Sequence, residues 1–360
     1  MNTRLATLFT VSAIAIAASA VSASAQQVSA SSPGKDGEAS RSLAAGAELA
    51  KRAGKPFTIK LDEDTRDFPM LDEKAMQDSF TSVTRSKDGT ITKKPASEAL
   101  RGLISGMVSG ATGTLDIQED GAPDEAFGDD ASRQVFGDDD RIQVTETTKY
   151  PFRTIGQLWT ETASGQWGSC SATLIGASTI ITAAHCAYSH DEGGWGKTME
   201  FFPGINGEND IPFDKVAVTD ATILEGFISE YKDNYGSVVP WDLAVLNLEK
   251  PVGDELGWLS IGSFDKPASF KANIVGYPGD KPLATMWRVA CDVNKADFDD
   301  NNFAYLCDTY PGSSGSSVYD YNKEKKERII LGVNIAENPQ FNIATRLNAA
   351  YFDWVVSLIK

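Results

Sequence analysis

The chain has 360 residues, a formal net charge of −17 and an apolar fraction of 41%. This length allows two domains, or one domain with a removable segment, and the apolar fraction is that of a globular protein. The strong negative charge argues against nucleic acids and anionic membrane surfaces as partners.

The first 25 residues have the composition of a secretory signal peptide. Arg4 supplies positive charge, an apolar run extends from Leu5 to Ala20, and Ala23 to Ala25 offers small residues for cleavage before Gln26. An uncleaved membrane anchor is the alternative, but the run is short and is diluted by Ser and Thr. The pattern predicts a secreted protein, extracellular or periplasmic, with a signal peptide over residues 1–25 and no membrane span.

Residues 26–134 differ in composition from the rest of the chain. An acidic run from Asp116 to Asp130 ends this part, and such runs are usually solvated. We interpret the run as a linker that a protease can cut, so that 26–134 is a pro-segment and the mature chain begins near Gln134 or Val135. A permanent N-terminal accessory domain is the alternative. Within this part the pattern predicts disorder over 26–42, a strand over 57–68, and helices over 43–53, 72–80 and 96–108.

From Ile142 onward, short apolar or alternating runs are separated by Gly, Pro, Asn and Asp. Many short strands at this spacing predict a sandwich or barrels, because βαβ units would need long helical runs between the strands. The final run, 348–359, has apolar residues at helical spacing and predicts an amphipathic helix. The predicted strands cover residues 152–159, 167–175, 179–182, 199–202, 215–224, 242–248, 258–261, 270–276, 285–292, 303–308, 316–319, 329–334 and 341–346.

The chain has four cysteines, Cys170, Cys186, Cys291 and Cys307, all in its second half. An even count in an exported chain predicts two disulfides, for which three pairings exist. Neighbour pairing would close two short loops, and each would contribute about 3 kcal/mol of stability. A metal site is disfavoured because the chain has no CxxC pair and only two histidines. We therefore expect no metal and no other cofactor.

His185 follows an apolar strand and stands next to Cys186, at the rim of the predicted sheet. An imidazole titrates near neutral pH and can take and return a proton. A structural core histidine is the alternative. The other histidine, His190, lies in a polar loop and is interpreted as a surface residue.

Asp242 begins an otherwise apolar run, Asp242 to Leu248. Burial of a carboxylate is costly unless it is paired, and a histidine N–H could pair it. The alternative is an ordinary aspartate at the entry to a strand.

Ser314 stands between Gly312 and Gly315 in a run of Gly and Ser. A hydroxyl presented in this way can attack a carbonyl, and the N–H groups of Gly312 and Ser314 could hold the resulting oxyanion. Alone, such a run is common in loops. The chain order His185, Asp242, Ser314 is one of the known orders of a Ser–His–Asp triad, here on an all-β background.

These three motifs resemble those of the chymotrypsin-like serine peptidases: Thr182 to Cys186, Asp242 to Val245 and Gly312 to Gly315. More narrowly, the chain resembles the bacterial V8-like (glutamyl endopeptidase) branch over about residues 135–360. This second resemblance is carried by Gly276 to Pro282 with Met286-Trp287, by Asp308 to Tyr310, and by Val135 to Asp139, which is similar to a mature N-terminus in that branch.

The resemblance implies an all-β fold of two six-stranded antiparallel β-barrels and a C-terminal helix, with the active site in the cleft between the barrels. Ser314 would be the nucleophile, His185 the general base and Asp242 the residue that orients the histidine. The expected protein is a monomeric serine endopeptidase made as a zymogen, acting on protein or peptide substrates. The alternative is a catalytically silent binding module on the same fold; loss of a triad residue would indicate it, and all three are present.

Two positions depart from family patterns. Ser313 replaces the aspartate that pairs with the new N-terminus in many chymotrypsin-like enzymes, as it does in the V8-like branch. Asn334 stands where glutamate-preferring members place a histidine. Asp308, Thr309 and Asn334 are the candidate specificity-pocket residues. We expect a preference for Glu or Asp before the cut; the alternatives are Lys or Arg, which Asp308 would favour, and other residues.

Overall fold

The computed structural model describes residues 47–52, 55–61, 71–108, 138–263 and 268–360, and the backbone of 116–118. The predicted signal peptide, the predicted disordered stretch and most of the acidic linker lie outside the described residues. In the described part of the chain, no helix has the length and apolar character needed to cross a membrane.

The described elements are mostly short strands. The helices are α1 (residues 47–52), α2 (Glu73–Ser79), α3 (Glu98–Val108), α4 (Glu225–Ser229), α5 (Gly253–Leu256) and α6 (Ala349–Val356). The strands are β1 (Lys55–Pro56), β2 (Ile59–Lys60), β3 (Ser82–Ser86), β4 (Ile91–Lys94), β5 (Asp116–Gln118), β6 (Ile142–Gln143), β7 (Ile155–Glu161), β8 (Trp167–Leu174), β9 (Thr179–Thr182), β10 (Tyr188–Ser189), β11 (Gly194–Trp195), β12 (Thr198–Pro203), β13 (Val216–Leu224), β14 (Ala244–Leu248), β15 (Ser260–Ser263), β16 (Phe270–Gly276), β17 (Trp287–Val293), β18 (Asn302–Tyr305), β19 (Ser317–Asn322), β20 (Glu327–Glu337) and β21 (Asn342–Arg346).

The first barrel is closed by hydrogen bonds. Six strands follow one another in the order β12, β7, β8, β9, β14 and β13, and β13 pairs back with β12. All ladders within this ring are antiparallel. Every residue of β9 and β14 is buried, which explains why their sequences are apolar runs rather than alternating ones.

The second barrel is a half-barrel with an open seam. Its strands follow the order β18, β21, β20, β19, β16 and β17, with β6 at the edge. Among the described residues, no ladder joins β17 to β18, and the chain between them forms a short 3₁₀ turn, Lys295–Asp297, and bends. The Cys291–Cys307 disulfide crosses this seam and joins the two edges covalently.

The N-terminal part forms one core with the first barrel. The helices predicted over 72–80 and 96–108 are confirmed as α2 and α3, and the hairpin β3–β4, which the sequence pattern did not predict, lies between them. Strand β3 pairs antiparallel with β13 and extends the sheet of the first barrel. Two tryptophans form hydrogen bonds with the N-terminal part. Trp241 Nε1 donates to Ser79 Oγ at 2.9 Å, and Trp354 Nε1 donates to Ser82 Oγ at 2.9 Å.

The described residues before α2 form no continuous strand. Of the predicted strand over 57–68, the described residues contain only the short strand β2; β1 lies just before it, and residues 62–70 lie outside the described part. The predicted C-terminal helix is confirmed as α6, whose Asn348 side chain caps it by accepting from the N–H groups of Ala350 and Tyr351.

Candidate active site

The first barrel holds His185 and Asp242 in contact. His185 lies in a 3₁₀ turn after β9, and Asp242 lies two residues before the buried strand β14. The backbone N–H of His185 donates to Oδ1 of Asp242 at 3.0 Å, and Nδ1 of His185 lies 2.7 Å from Oδ2. A carboxylate can only accept, so Nδ1 carries the proton and Nε2 of the neutral ring is the acceptor. This tautomer leaves Nε2 able to take a proton from a nucleophile.

The disulfide beside His185 fixes its turn. Cys186 is bonded to Cys170 of β8, with a Cα–Cα distance of 6.0 Å. Together with the Cys291–Cys307 bond, this confirms the neighbour pairing among the three that the cysteine count allowed. Cys170, His185 and Cys186 are also the one group in the described part of the chain whose ligand atoms cluster closely enough for a metal. Their sulfurs are bonded to each other, so they are not available as thiolate ligands.

Ser314 sits in a loop whose shape requires both neighbouring glycines. Gly312 has φ +102°, and a Cβ there would lie 2.6 Å from the carbonyl oxygen of Tyr277. Gly315 has φ +83°, and its Cβ would lie 2.0 Å from Oγ1 of Thr182 in β9. A side chain at either position would therefore collide with the surrounding backbone or with the first barrel.

Ser171, on β8 of the first barrel, ties this loop to the other half of the site. Its N–H donates to the carbonyl of Ser314 at 2.8 Å, and its hydroxyl donates to the carbonyl of Gly312 at 3.0 Å. The same hydroxyl accepts from the N–H of Tyr277 at 2.9 Å. The sequence reasoning missed Ser171, and no local motif marks it apart from its position next to Cys170.

A second hydrogen bond between the barrels involves Asp242. Thr345 of β21 donates its hydroxyl to the carbonyl of Asp242 at 3.1 Å. Both residues are fully buried. The half-barrel therefore helps to hold the residue that orients His185.

Among the described residues, the hydroxyl of Ser314 and the ring of His185 form no hydrogen bond with each other. Ser314 and His185 are both 4% exposed, and Nε2 of His185 is buried without a hydrogen-bond partner among the described residues. The N-terminal segment enters the same space: the N–H of Gly312 donates to the carbonyl of Phe57 at 3.1 Å. The expected oxyanion donor is thus already occupied by a peptide carbonyl of the same chain.

Asn334 forms hydrogen bonds with the loop that carries Ser314. Its Nδ2 donates to the carbonyl of Ser313 at 3.1 Å, and its Oδ1 accepts from the hydroxyl of Tyr305. Its backbone carbonyl accepts from the N–H of Gly315 at 2.7 Å. Both ends of the side-chain amide are therefore engaged inside the protein, and its expected role in substrate recognition stays a prediction.

Asp308 and Thr309 are both buried. Thr309 lines a cavity of ≈ 430 Å³ together with Tyr310 and Glu337. Asp308 is 1% exposed, and its Oδ2 accepts from the N–H of Asp140 at 3.1 Å. Burial, and the neighbouring Asp140 carboxyl, raise the pKa of Asp308 to about 7. Asp308 is therefore largely uncharged below that pH.

A buried arginine anchors the chain next to this pair. The side chain of Arg141 is 2% exposed and forms ion pairs with Asp139 and Asp280. Arg141 and Lys281 hold the pKa of the Asp139 carboxyl well below its usual range. Asp139 to Arg141, which follow the predicted start of the mature chain, are therefore held beside Asp308.

His190 is not the surface residue that the sequence predicted. Its ring stacks on Tyr231 with a centroid distance of 3.7 Å, and its Nε2 lies 2.9 Å from the carbonyl of Phe227. Burial lowers the pKa of His190. The error arose because its aromatic neighbours come from residues about 40 positions further along the chain.

The chain is similar to known peptidases over the part that carries this site. The family described as "Trypsin-like peptidase domain" matches residues 170–325, which include His185, Asp242 and Ser314. The glutamyl endopeptidase of Bacillus licheniformis is 30% identical over 228 residues, covering 61% of this chain and 67% of the relative. A Bacillus subtilis protein named extracellular metalloprotease is 28% identical over 224 residues, with 61% and 67% covered. The solved structure of a Glu endopeptidase in complex with MPD is 25% identical with a TM-score of 0.53, covering 62% of this chain and 98% of that one.

Proposed function

This chain belongs to the V8-like branch of the chymotrypsin-like serine peptidases and is a serine endopeptidase, and we propose that Ser314 is its nucleophile, His185 its general base and Asp242 the residue that orients the histidine. The contact between Asp242 and Nδ1 of His185 carries this proposal, because it leaves Nε2 as the basic nitrogen at the wall of the cleft. The substrates are proteins or peptides.

The proposed reaction follows from this tautomer. Nε2 of His185 takes the proton of the Ser314 hydroxyl as Oγ bonds to the substrate carbonyl carbon, and the carbonyl oxygen becomes an oxyanion held by the N–H groups of Gly312 and Ser314. The C–N bond then breaks, and the leaving amine takes the proton from His185. Water repeats the sequence on the acyl-enzyme, which releases the acid and restores Ser314. Asp242 stabilises the imidazolium that forms in each half.

Fluorophosphonate labelling of the chain, after removal of its N-terminal part by limited proteolysis, tests the nucleophile. We expect the wild-type enzyme to be labelled and Ser314→Ala to be unlabelled, with peptide hydrolysis lower by roughly 10⁵- to 10⁶-fold. Ser313→Ala is the matched control, because it removes the neighbouring hydroxyl of the same loop and should keep the label. Labelling and hydrolysis by Ser314→Ala would contradict the proposal.

The second part of the proposal concerns maturation and export. Residues 1–25 serve as a signal peptide, and residues 26–134 are removed to give a mature chain that starts near Gln134 or Val135. The signal-like composition supports export, as does the word "extracellular" in the name of the Bacillus subtilis relative. N-terminal sequencing of the active enzyme from culture medium tests both steps, and an active enzyme that retains residues 72–108 would contradict the second.

The third part concerns specificity: the enzyme prefers Glu or Asp before the cut. The name of the Bacillus licheniformis relative supports this preference. The burial of Asp308 argues against Lys or Arg, because this carboxyl is 1% exposed and its Oδ2 already accepts from the N–H of Asp140. Mass spectrometry of the peptides cut from a mixed proteome reports the residue before each cut. A majority of cuts after Lys or Arg would contradict the preference.

A further inference from the structure

Residues 55–61 cross the cleft from one barrel to the other. Strand β1 pairs parallel with β8, with Lys55 opposite Gly168, and the N–H of Phe57 donates to the carbonyl of Ser169 at 2.9 Å. Strand β2 pairs parallel with β20, and the N–H of Leu61 donates to the carbonyl of Glu337 at 3.0 Å. The peptide bond between Phe57 and Thr58 therefore spans the space between the two barrels.

The cleft fits this segment closely. A Cβ on Gly168 would lie 2.2 Å from the ring of Phe57, and a Cβ on Gly279 would lie 2.2 Å from Cγ of Pro56. Pro56 also lies against Gly312 of the nucleophile loop. Glycines from three different parts of the chain thus leave the room that Pro56 and Phe57 fill.

The carbonyl of Phe57 occupies the position expected of a scissile carbonyl. It accepts from the N–H of Gly312 at 3.1 Å, the donor proposed above for the oxyanion. The cavity that contains His185 is lined by residues 55–59 of the same segment. The segment is therefore placed where a substrate must bind.

The direction of the segment is the opposite of that of a substrate. In a substrate, the leaving amine follows the scissile carbonyl and must lie towards His185, which returns a proton to it. The Cys170–Cys186 disulfide holds the His185 turn against β8. In the bound segment, the residues that lie along β8 precede Phe57, and the nitrogen of Thr58 leads away from β8 towards β20.

From this geometry we infer that residues 55–61 are a built-in inhibitor strand that fills the substrate cleft in reverse and is therefore not cut at the Phe57–Thr58 bond. This inference rests on the proposed roles of Ser314 and His185. The strand is anchored at both ends. Upstream, Arg52 pairs with Glu200 of the first barrel and lies 3.9 Å from the ring of Trp167. Downstream, Ile59 is 1% exposed against β20.

The rate of fluorophosphonate labelling of the full-length chain tests the inhibitor strand. We expect slow labelling of the wild-type chain and labelling faster by roughly tenfold or more in Phe57→Ala, because loss of the ring favours local opening of the segment. Gly168→Ala acts from the opposite side, since its methyl group displaces the same ring, and should also accelerate labelling. Lys60→Ala is the matched control, because this side chain is exposed within the same segment and should leave the wild-type rate.

The outcomes separate this inference from the proposed function. If the processed chain is not labelled at Ser314, the proposed function fails. If the processed chain is labelled, but both variants label at the wild-type rate in full-length form, the inhibitor strand fails alone. A melting curve like that of the wild type shows that each variant is folded, and Gly168→Ala keeps the test valid if Phe57→Ala does not fold.

The reversed direction has its own readout. After prolonged incubation of the full-length wild-type chain, intact-mass analysis should show no cut between Phe57 and Thr58. A cut at this bond, absent from Ser314→Ala, would show that the segment binds as a substrate does and would overturn the reversed orientation.

Discussion

The two barrels contribute to the active site in different ways. The first barrel is closed by its own ladders and makes the whole His185–Asp242 contact from residues at the ends of β9 and β14. The half-barrel is open between β17 and β18, and its Ser314 loop depends on contacts from the other side of the cleft. Both members of the acid–base pair thus come from one barrel, with one supporting hydrogen bond from Thr345 of the half-barrel, whereas the nucleophile loop of the half-barrel is held largely by the other barrel.

This difference predicts which substitutions should affect the catalytic residues most. A change in the first barrel should disturb the acid–base pair directly. A substitution along the open seam of the half-barrel should affect Ser314 less. The Ser314 loop contacts Ser171 and Thr182 of the first barrel, and a substitution at the seam leaves these contacts in place. The predictions below test this contrast, beginning with the largest expected effect.

Asp242→Asn should lower kcat for peptide hydrolysis by about 10⁴-fold. An amide in this buried position can donate to Nδ1 of His185, which stabilises the tautomer whose Nε2 carries the proton and cannot act as a base. Steady-state kinetics on the processed enzyme measure the effect. Asp220→Asn is the matched control, because it changes another carboxylate of the first barrel, one that is paired with Lys360 at the surface. A loss smaller than tenfold in Asp242→Asn would contradict the role of the first barrel.

Phe80→Ala should lower the free energy of unfolding of the full-length chain by about 3 to 5 kcal/mol. Phe80 is 0% exposed and packs edge-on against Tyr351 of α6, with a centroid distance of 4.9 Å. Denaturant titration measures the change. Ile91→Ala, on the 52% exposed side chain of β4, should change stability by no more than about 0.5 kcal/mol. Equal effects of the two substitutions would show that residues 71–108 are not part of the first barrel's core.

Cys170→Ala/Cys186→Ala and Cys291→Ala/Cys307→Ala form a matched pair, one in each barrel. Both disulfides have a sequence separation of 16, so loss of either should cost about 3 kcal/mol through the entropy of the unfolded chain. Activity should separate them. Loss of the Cys170–Cys186 bond removes a constraint on the turn that carries His185 and should lower activity. Loss of the Cys291–Cys307 bond removes a constraint only at the seam of the half-barrel. Thermal melts and kcat/KM values test this, and equal losses of activity would contradict the contrast between the barrels.

Sequence reasoning was most successful where the signal is local. The helices α2, α3 and α6 and the buried strands β9 and β14 follow from apolar spacing and capping residues within single segments. The neighbour pairing of the cysteines is also a short-range feature. The hairpin β3–β4 was missed although Asp88-Gly89 marks its turn, because the segment before the acidic run was interpreted as weakly structured.

Features that depend on distant parts of the chain could not be predicted. The contact of Ser171 with the Ser314 loop joins residues more than 140 positions apart, and a single serine in a strand gives no sign of it. The open seam between β17 and β18 depends on how the edges of the half-barrel meet, which strand patterns do not specify. The passage of residues 55–61 through the cleft likewise depends on two ladders to strands in different barrels.

Asp308→Asn should produce an effect that appears only as a dependence of stability on pH. Burial raises the pKa of Asp308 from the ordinary 3.8 to about 7. Between these values the folded protein binds more protons at this site than the unfolded chain, so the contribution of Asp308 to stability is full below about pH 4 and is lost as the pH rises through about 7. Asparagine does not titrate, so the Tm of Asp308→Asn relative to the wild type should rise between pH 4 and pH 8. Asp254→Asn, at an exposed position, is the control and should show a constant difference. A constant difference for Asp308→Asn as well would mean that this carboxyl is charged in the folded enzyme, which would restore it as a possible partner for Lys or Arg in the specificity pocket.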